Sequence, residues 1–340
     1  MNSLKRLAPQ LITLAVIILL NYLVFPDFFN IKIANGKFYG SLIDVLNRGA
    51  PVALLAIGMT LVIATKGIDL SVGAMMAICG AVAASTVDSG GSVYLALSLA
   101  LLAGVICGAW NGVLVAFLNI QPIISTLILM VAGRGIAQLI TKGAILTFTD
   151  PGLIFIGSGS VFSIPTPILI WIFAGISVTF IVRKTALGML IEAIGINQRA
   201  SSFSGINARV LLIMVYVVSG LCAAMAGTIA AADIRGADAN NSGLWLELDA
   251  ILAVVIGGTS LLGGRFTLIG SLIGAMIIQS INTGILLSGF PPEFNLIIKA
   301  AIIVIVLIIQ SPALKAHYQT YRDTKKPPEP APAPSSRTTS

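Results

Sequence analysis

The amino-acid sequence predicts an all-α, polytopic membrane protein of about ten transmembrane spans, with both termini in the cytoplasm. Three observations lead there. Apolar residues make up 57% of the chain and charged residues only 10%. A soluble domain cannot hide that much apolar surface, because much of its exterior must stay wet. The apolar residues also fall in repeated runs of roughly 20, the length at which a helix crosses a bilayer. Finally, basic residues gather at alternate ends of these runs. The net charge of +7 is therefore explained by retention of cytoplasmic loops, and no nucleic-acid partner is implied.

Lys5 and Arg6 precede the first apolar run, Leu11 to Phe25. No small-x-small cleavage site followed by a polar start is seen, so the run reads as an uncleaved first span with a cytoplasmic N-terminus. Residues 26–41 form a polar external loop, and Leu42 to Thr65 return inward with Pro51 near their start. Lys66 marks the inner end. The segment GIDLSVGA at 67–74 then places Asp69 between two apolar runs. A carboxylate near membrane depth is costly unless neighbours satisfy it. Asp69 either caps the third helix together with Ser71 or serves as a gate or substrate contact.

The third span runs to about Val87, and residues 88–91 turn outside. In the fourth span, Ser92 to Leu118, Gly104, Gly108 and Gly112 recur four apart, a small-residue seam suited to close helix packing. Trp110 and Asn111 lie beside it. The fifth span, Ile123 to about Ile140, carries Arg134 and Gln138 towards its outer end. Arg134 either snorkels outward or sits in a wet cavity. Residues 142–166 are an outer segment rich in Gly, Ser and Pro, and Pro167 to Val182 form the sixth span.

Val210 to Ala232 make the seventh span, residues 233–249 an acidic outer segment, and Ala250 to Leu262 a short eighth span or re-entrant segment. Thr267 to Leu287 form the ninth, with Gln279 and Asn282 in its outer half, and Phe294 to Gln310 the tenth. The membrane domain thus covers 1–314. The tail, 315–340, is too rich in Pro, Ser and Ala to pack and reads as disordered in the cytoplasm. Cys79, Cys107 and Cys222 sit inside apolar runs as small packing residues, without metal-ligand spacing.

Between the sixth and seventh spans, residues 183–209 are too polar to cross. Within them Leu187, Leu190, Ile191 and Ile194 follow the i, i+3, i+4, i+7 spacing of one apolar helix face. Gly195 and Gly205 interrupt that pattern and read as turn positions. The segment predicts a short amphipathic helix, a turn and a second short polar helix on the membrane surface. It either tidies a loop or docks a soluble partner that drives the protein.

No catalytic constellation appears. The one histidine is His317, in the tail, and the chain has no HExxH, nucleophile elbow or phosphate-binding GxxxxGK[ST]. Uphill transport would need ATP bound by another chain. Candidates for a translocation path are the polar residues at membrane depth, Asp69, Asn111, Gln138, Gln279 and Asn282, each of which reads equally as interhelical glue.

Three segments, GIDLSVGA at 67–74, EAIGINQRASSFSGIN at 192–207 and AVVIGGTSLLGGRF at 253–266, together resemble the membrane permeases of bacterial ribose-type sugar ABC importers. The similarity covers nearly the whole chain except the tail. Among these permeases, segments 50–65, 127–135 and 231–258 are most similar to members that import galactofuranose. A departure is Lys66, where the related pattern has glycine.

The resemblance implies an inner-membrane permease that receives a monosaccharide from a periplasmic sugar-binding protein. It pairs with a second permease chain, a different one in the galactofuranose system. It is driven by separate ABC ATP-binding subunits, which hold ATP and Mg, so no cofactor is expected in this chain. The match at 192–207 implies a coupling segment comprising Glu192, Ala193, Gly195, Asn197, Arg199, Ala200 and Gly205, with Glu192, Asn197 and Arg199 facing the ATPase. Ribose, xylose or another monosaccharide is the alternative cargo. A stand-alone secondary transporter would need a coupling carboxylate or a complete pore within one chain, and uptake by this chain in vesicles without ATPase would support it. A membrane enzyme acting on lipid-linked sugars would need clustered acidic or His residues at one interface.

Overall fold

Apolar residues fold here into helices because only a helix pairs its own backbone groups away from water. The computed structural model describes residues 3–304, apart from positions 35, 290, 292, 293, 295, 302 and 303. The described residues up to 289 make one compact unit, and those from 291 onward belong to a second. In the second, positions 294, 296–301 and 304 are helical. The rest of the tenth expected span, and the expected disordered tail 315–340, lie outside the described residues.

The first unit opens with α1 (Ser3–Val24), a 3-10 turn (Pro26–Phe29) and a β-hairpin of β1 (Lys32–Ala34) and β2 (Lys37–Tyr39). The second expected span is two helices, α2 (Ser41–Arg48) and α3 (Ala50–Ala64), bent by 41°. Gly49 stands at the bend and Pro51 in the first turn beyond it. Proline lacks an N–H and suits the start of a helix, not its interior. α3 is buried along nearly its whole length, which makes it the bundle's central rod.

α4 (Val72–Asp88), α5 (Val93–Ala116) and α6 (Pro122–Ile140) follow. The 142–166 segment is more structured than its composition suggests. It holds the two-residue strand β3 (Leu146–Thr147), the helix α7 (Pro151–Ser158) and the hairpin β4 (Ser160–Val161) with β5 (Ile164–Pro165). Asp150 caps α7 by accepting from the Leu153 N–H at 2.8 Å. α8 (Thr166–Lys184), α9 (Leu187–Ile196), α10 (Gln198–Phe203) and the 27-residue α11 (Ala208–Ile234) come next. β6 (Gly236–Ala237) pairs antiparallel with β3, and α12 (Leu246–Ile256) and α13 (Leu268–Leu287) complete the unit.

The glycine seam of α5 works as expected. A Cβ on Gly112 would lie 2.7 Å from the Ile213 Cα, while Gly104 and Gly108 fall against the carbonyls of Gly220 and Tyr216. α5 and α11 therefore approach backbone to backbone. Trp110 points outward, about half exposed, and Asn111 next to it is fully buried.

Among the described residues, six helices are long and apolar enough to cross a membrane, or seven if α2 and α3 count as one bent span. The chain is thus a helical, multi-pass membrane protein. The expected count of ten goes further, since it includes α4, α12 and residues 294–310. At 11 residues α12 is about 16 Å long, far short of a hydrocarbon core of about 30 Å. It is a half-length helix.

Candidate functional site

The turn between α3 and α4 carries the most deeply buried acidic side chain among the described residues. Asp69 has no solvent exposure. Its Oδ1 accepts from the Ser71 N–H at 3.0 Å and the Ser71 Oγ at 2.6 Å, and its Oδ2 accepts from the Ser219 Oγ of α11 at 2.9 Å. The Asn111 Nδ2 of α5 donates to the Ser71 Oγ at 2.8 Å. Ser219 lies about 16 Å along α11 from Ala208, so the turn sits well inside the bundle and not at its rim. Hydrogen bonds to a charged group contribute about 1.5–3 kcal/mol each, which offsets the cost of removing a carboxylate from water.

The capping expectation needs correction. Ser71 occupies the N-cap position of α4, yet its side chain makes no cap bond. Instead it donates to Asp69, and Asp69 binds the Ser71 backbone rather than the helix's first amides. Among the described residues the Asn111 Oδ1 and the Tyr216 Oη of α11 are buried without a hydrogen-bond partner, and Tyr216 packs close against Gly67.

A second junction lies at the starts of α4 and α12. A Cβ on Gly73 would sit 2.6 Å from the Glu247 Oε2 and nearer still to the Gly243 carbonyl. Glu247 and Asp249 are only 6% and 3% exposed. The acidic outer segment expected at 233–249 therefore folds inward at its second half. Arg134 anchors it, with Nη1 donating to the carbonyls of Ala239 at 2.9 Å and Ser242 at 2.6 Å. Arg134 does not simply snorkel outward. Gln138 Nε2 donates to the Asn240 Oδ1 at 2.7 Å. Asp238 binds the Asn241 side chain and the N–H groups of residues 240 and 241, and these bonds hold its carboxyl below the usual carboxylate range.

Of the five polar candidates, the structure joins only Asp69 and Asn111 in one network. Gln138 belongs to the Arg134 junction. Gln279 is buried beside Gly49 at the α2–α3 bend, and Asn282, further along α13, has an Oδ1 with no partner among the described residues. Ser219 and Glu247 are the partners that sequence reasoning missed. The single serine of α11, set in the apolar middle of that helix, was the available signal for Ser219.

The central segment forms its two short helices. Ile194 packs with Ala208 and Leu211, and Leu187 and Leu190 flank that cluster, so the apolar face anchors the segment as its spacing predicts. Asn197 caps α10 through its Oδ1, which accepts from the Ala200 N–H at 3.0 Å. Asn197, Arg199 and Ala200 are exposed, whereas Glu192 and Ala193 are half-buried. Phe203, unremarked in the sequence, is 93% exposed.

Gly205 makes a turn at φ +82°, but Gly195 does not. It lies within α9, where a Cβ would sit 2.6 Å from the Gly264 N and closer still to the Ala64 carbonyl. Close approach, not a turn, requires glycine there. The Gly264 N–H donates to the Ala64 carbonyl at 2.9 Å, and the Lys66 Nζ donates to the Ile196 carbonyl at 3.0 Å. The end of α9 is thus clasped between the end of α3 and the 257–267 turn.

The fold is thus a multi-pass helical bundle with a buried carboxylate turn and an amphipathic surface segment clasped to it. The chain belongs to the family described as "Branched-chain amino acid transport system / permease component", whose model matches residues 41–307. It is a permease component of a transport system. Over 303 residues it is 60% identical to the galactofuranose transporter permease protein YtfT of Escherichia coli (strain K12), covering 89% of each chain. It is 44% identical to the fructose import permease protein FruF of Bifidobacterium longum (strain NCC 2705), covering 82% of this chain and 80% of that one. It is 38% identical to the ribose import permease protein RbsC of Escherichia coli (strain K12), covering 89% and 92%.

Proposed function

We propose that this chain is a membrane permease subunit of an ATP-driven importer whose cargo is a monosaccharide, galactofuranose. The observation that carries this reading is the 60% identity, over nearly the full length of both chains, to a galactofuranose permease. The lower identities to the fructose and ribose permeases make those sugars the second reading.

In this reading the chain lies in a bacterial inner membrane with α9 and α10 in the cytoplasm. A second permease chain completes the pathway, a periplasmic protein delivers sugar, and partner ATP-binding subunits hold ATP and Mg. Closure of those subunits presses on α9 and α10 through Glu192, Ala193, Asn197, Arg199 and Ala200. The clasp at Gly195 passes the displacement to the end of α3. From there the turn holding Asp69 passes it to α5 and α11 through Asn111 and Ser219. Packed interfaces of this kind switch between discrete arrangements instead of deforming smoothly. Asp69 and Asn111 are the path residues nearest that switch, and Gln138, Gln279 and Asn282 are the remaining path candidates.

The test is uptake into vesicles holding this chain with its partner subunits, comparing galactofuranose, fructose and ribose with and without ATP. ATP-dependent uptake of galactofuranose in preference to the other two is the expected result. Preference for fructose or ribose would replace the cargo, and uptake by this chain alone without ATP would overturn the importer reading.

A further inference from the structure

Two adjoining hollows open at the α9 end of α8. The first, about 400 Å³, is a groove between α8 and α13 walled by Trp171, Ile176, Phe180, Ile269 and Leu272. It is apolar along its length and ends at Arg183 and Lys184. From Trp171 to Arg183 it runs about 18 Å, slightly more than the ~15 Å of hydrocarbon in one leaflet. The second hollow, about 530 Å³, shares Arg183 and Ile269 with the first. Its polar wall adds Thr185, Glu192 and Thr267. The flanking face of α8 is lipid-like in its exposure, with Phe173, Ile176 and Phe180 each more than 60% exposed.

We propose that the two hollows together hold one phospholipid, phosphatidylethanolamine, from the leaflet on the α9 side. An acyl chain lies along the α8–α13 groove. The phosphate meets Arg183 and Lys184, a pairing that basic residues at the ends of membrane helices favour. The ammonium meets the Glu192 carboxylate. Charge complementarity selects this headgroup. An anionic lipid such as phosphatidylglycerol would bring its phosphate into a pocket that already holds Glu192 and would offer that carboxylate no cation. A choline headgroup carries a cation without an N–H to donate. Glu192 belongs to α9, so the lipid would join the transmembrane bundle to the segment that receives force. The inference does not depend on which sugar is carried.

The test is native mass spectrometry of the full chain purified in mild detergent from membranes containing phosphatidylethanolamine and phosphatidylglycerol. The wild-type chain is expected to retain one phosphatidylethanolamine. Arg183→Ala with Lys184→Ala is expected to lose it. Thr179 also lines the groove, and Thr179→Trp, which fills it without altering a charge, is expected to lose the lipid as well. Glu192→Gln is expected to exchange the preference, retaining phosphatidylglycerol instead. Melting temperatures near wild type show that the variants are folded. The proposal is overturned if the wild type retains no lipid or prefers phosphatidylglycerol, or if Glu192→Gln leaves the preference unchanged. It is equally overturned if Thr179→Cys cross-links to residues 291–310 or to a second permease chain, because protein then fills the groove.

Discussion

Replacing Gly195 by alanine isolates the clasp between the surface segment and the bundle. The added Cβ would lie 2.6 Å from the Gly264 N and nearer to the Ala64 carbonyl, both of them backbone atoms. Ordinary contact begins near 3.4 Å, so the end of α9 must retreat by about 1 Å or more. Overpacking of this kind costs about 1–3 kcal/mol. The Gly264 N–H bond to the Ala64 carbonyl, 2.9 Å long, is strained with it, for about 0.5–1.5 kcal/mol more. Gly205→Ala is the control, because Gly205 has open space around it and only its φ of +82° resists a side chain, at about 1–2 kcal/mol. The assay is ATP-driven sugar uptake together with ATP hydrolysis by the reconstituted assembly. Gly195→Ala should lower sugar moved per ATP by about tenfold or more, since each ~1.4 kcal/mol lost from the clasp is a factor of ten. Gly205→Ala should leave that ratio near wild type. Wild-type coupling in Gly195→Ala, with an unchanged melting temperature, would refute the clasp.

Ser219→Ala removes the 2.9 Å bond to the Asp69 Oδ2 and should cost about 1.5–3 kcal/mol for a charged acceptor. In an Asp69→Asn background the same change should cost only about 0.5–1.5 kcal/mol, and equal costs in a double-mutant cycle of detergent melting curves would rule out a charged partner. Lys66 holds a left-handed φ of 66°, so Lys66→Gly trades the Nζ bond for relief of strain and should be nearly neutral. Lys66→Ala keeps the strain and should melt as a protein about 1 kcal/mol less stable than the glycine variant, while the opposite order would contradict this account. Because the folded Asp238 carboxyl is depressed, its contribution is complete above the unfolded value of about 3.9 and is lost as pH falls through the folded value. Hydrogen exchange at residues 239–245, normalised to free-peptide rates, should therefore accelerate on acidification, and Asp238→Ala should abolish that pH dependence.

The sequence makes the long spans legible because apolar run length is a direct requirement of the bilayer. The anchoring face of α9 is legible for a similar reason, since a 3.6-residue period needs no tertiary information. Gly195 was misread because glycine serves both turns and close approach, and only the neighbouring Ala64 and Gly264 backbones distinguish them. The inward fold of residues 238–249 was misread because Glu247 and Asp249 look solvent-seeking in isolation. The loop that leads into them is held by Arg134, more than 100 residues earlier. The Asp69 turn was half legible: its cost could be inferred, but Ser219 is named as its partner only by the packing of α11 on α3 and α4.

That partnership also has a schedule. Ser71 is made two residues after Asp69, and Asn111 some forty after Ser71, but Ser219 is 150 residues away from Asp69. At synthesis rates of about 5–20 residues per second, roughly 8–30 s pass before the ribosome supplies it. Through that interval the nascent α3–α4 pair carries a carboxylate whose second oxygen lacks its eventual donor. Ser71 is the early guardian of the group, holding Oδ1 until α11 arrives. A chain stalled before residue 219 would therefore hold its acid through Ser71 alone on Oδ1, with Oδ2 still lacking the Ser219 donor.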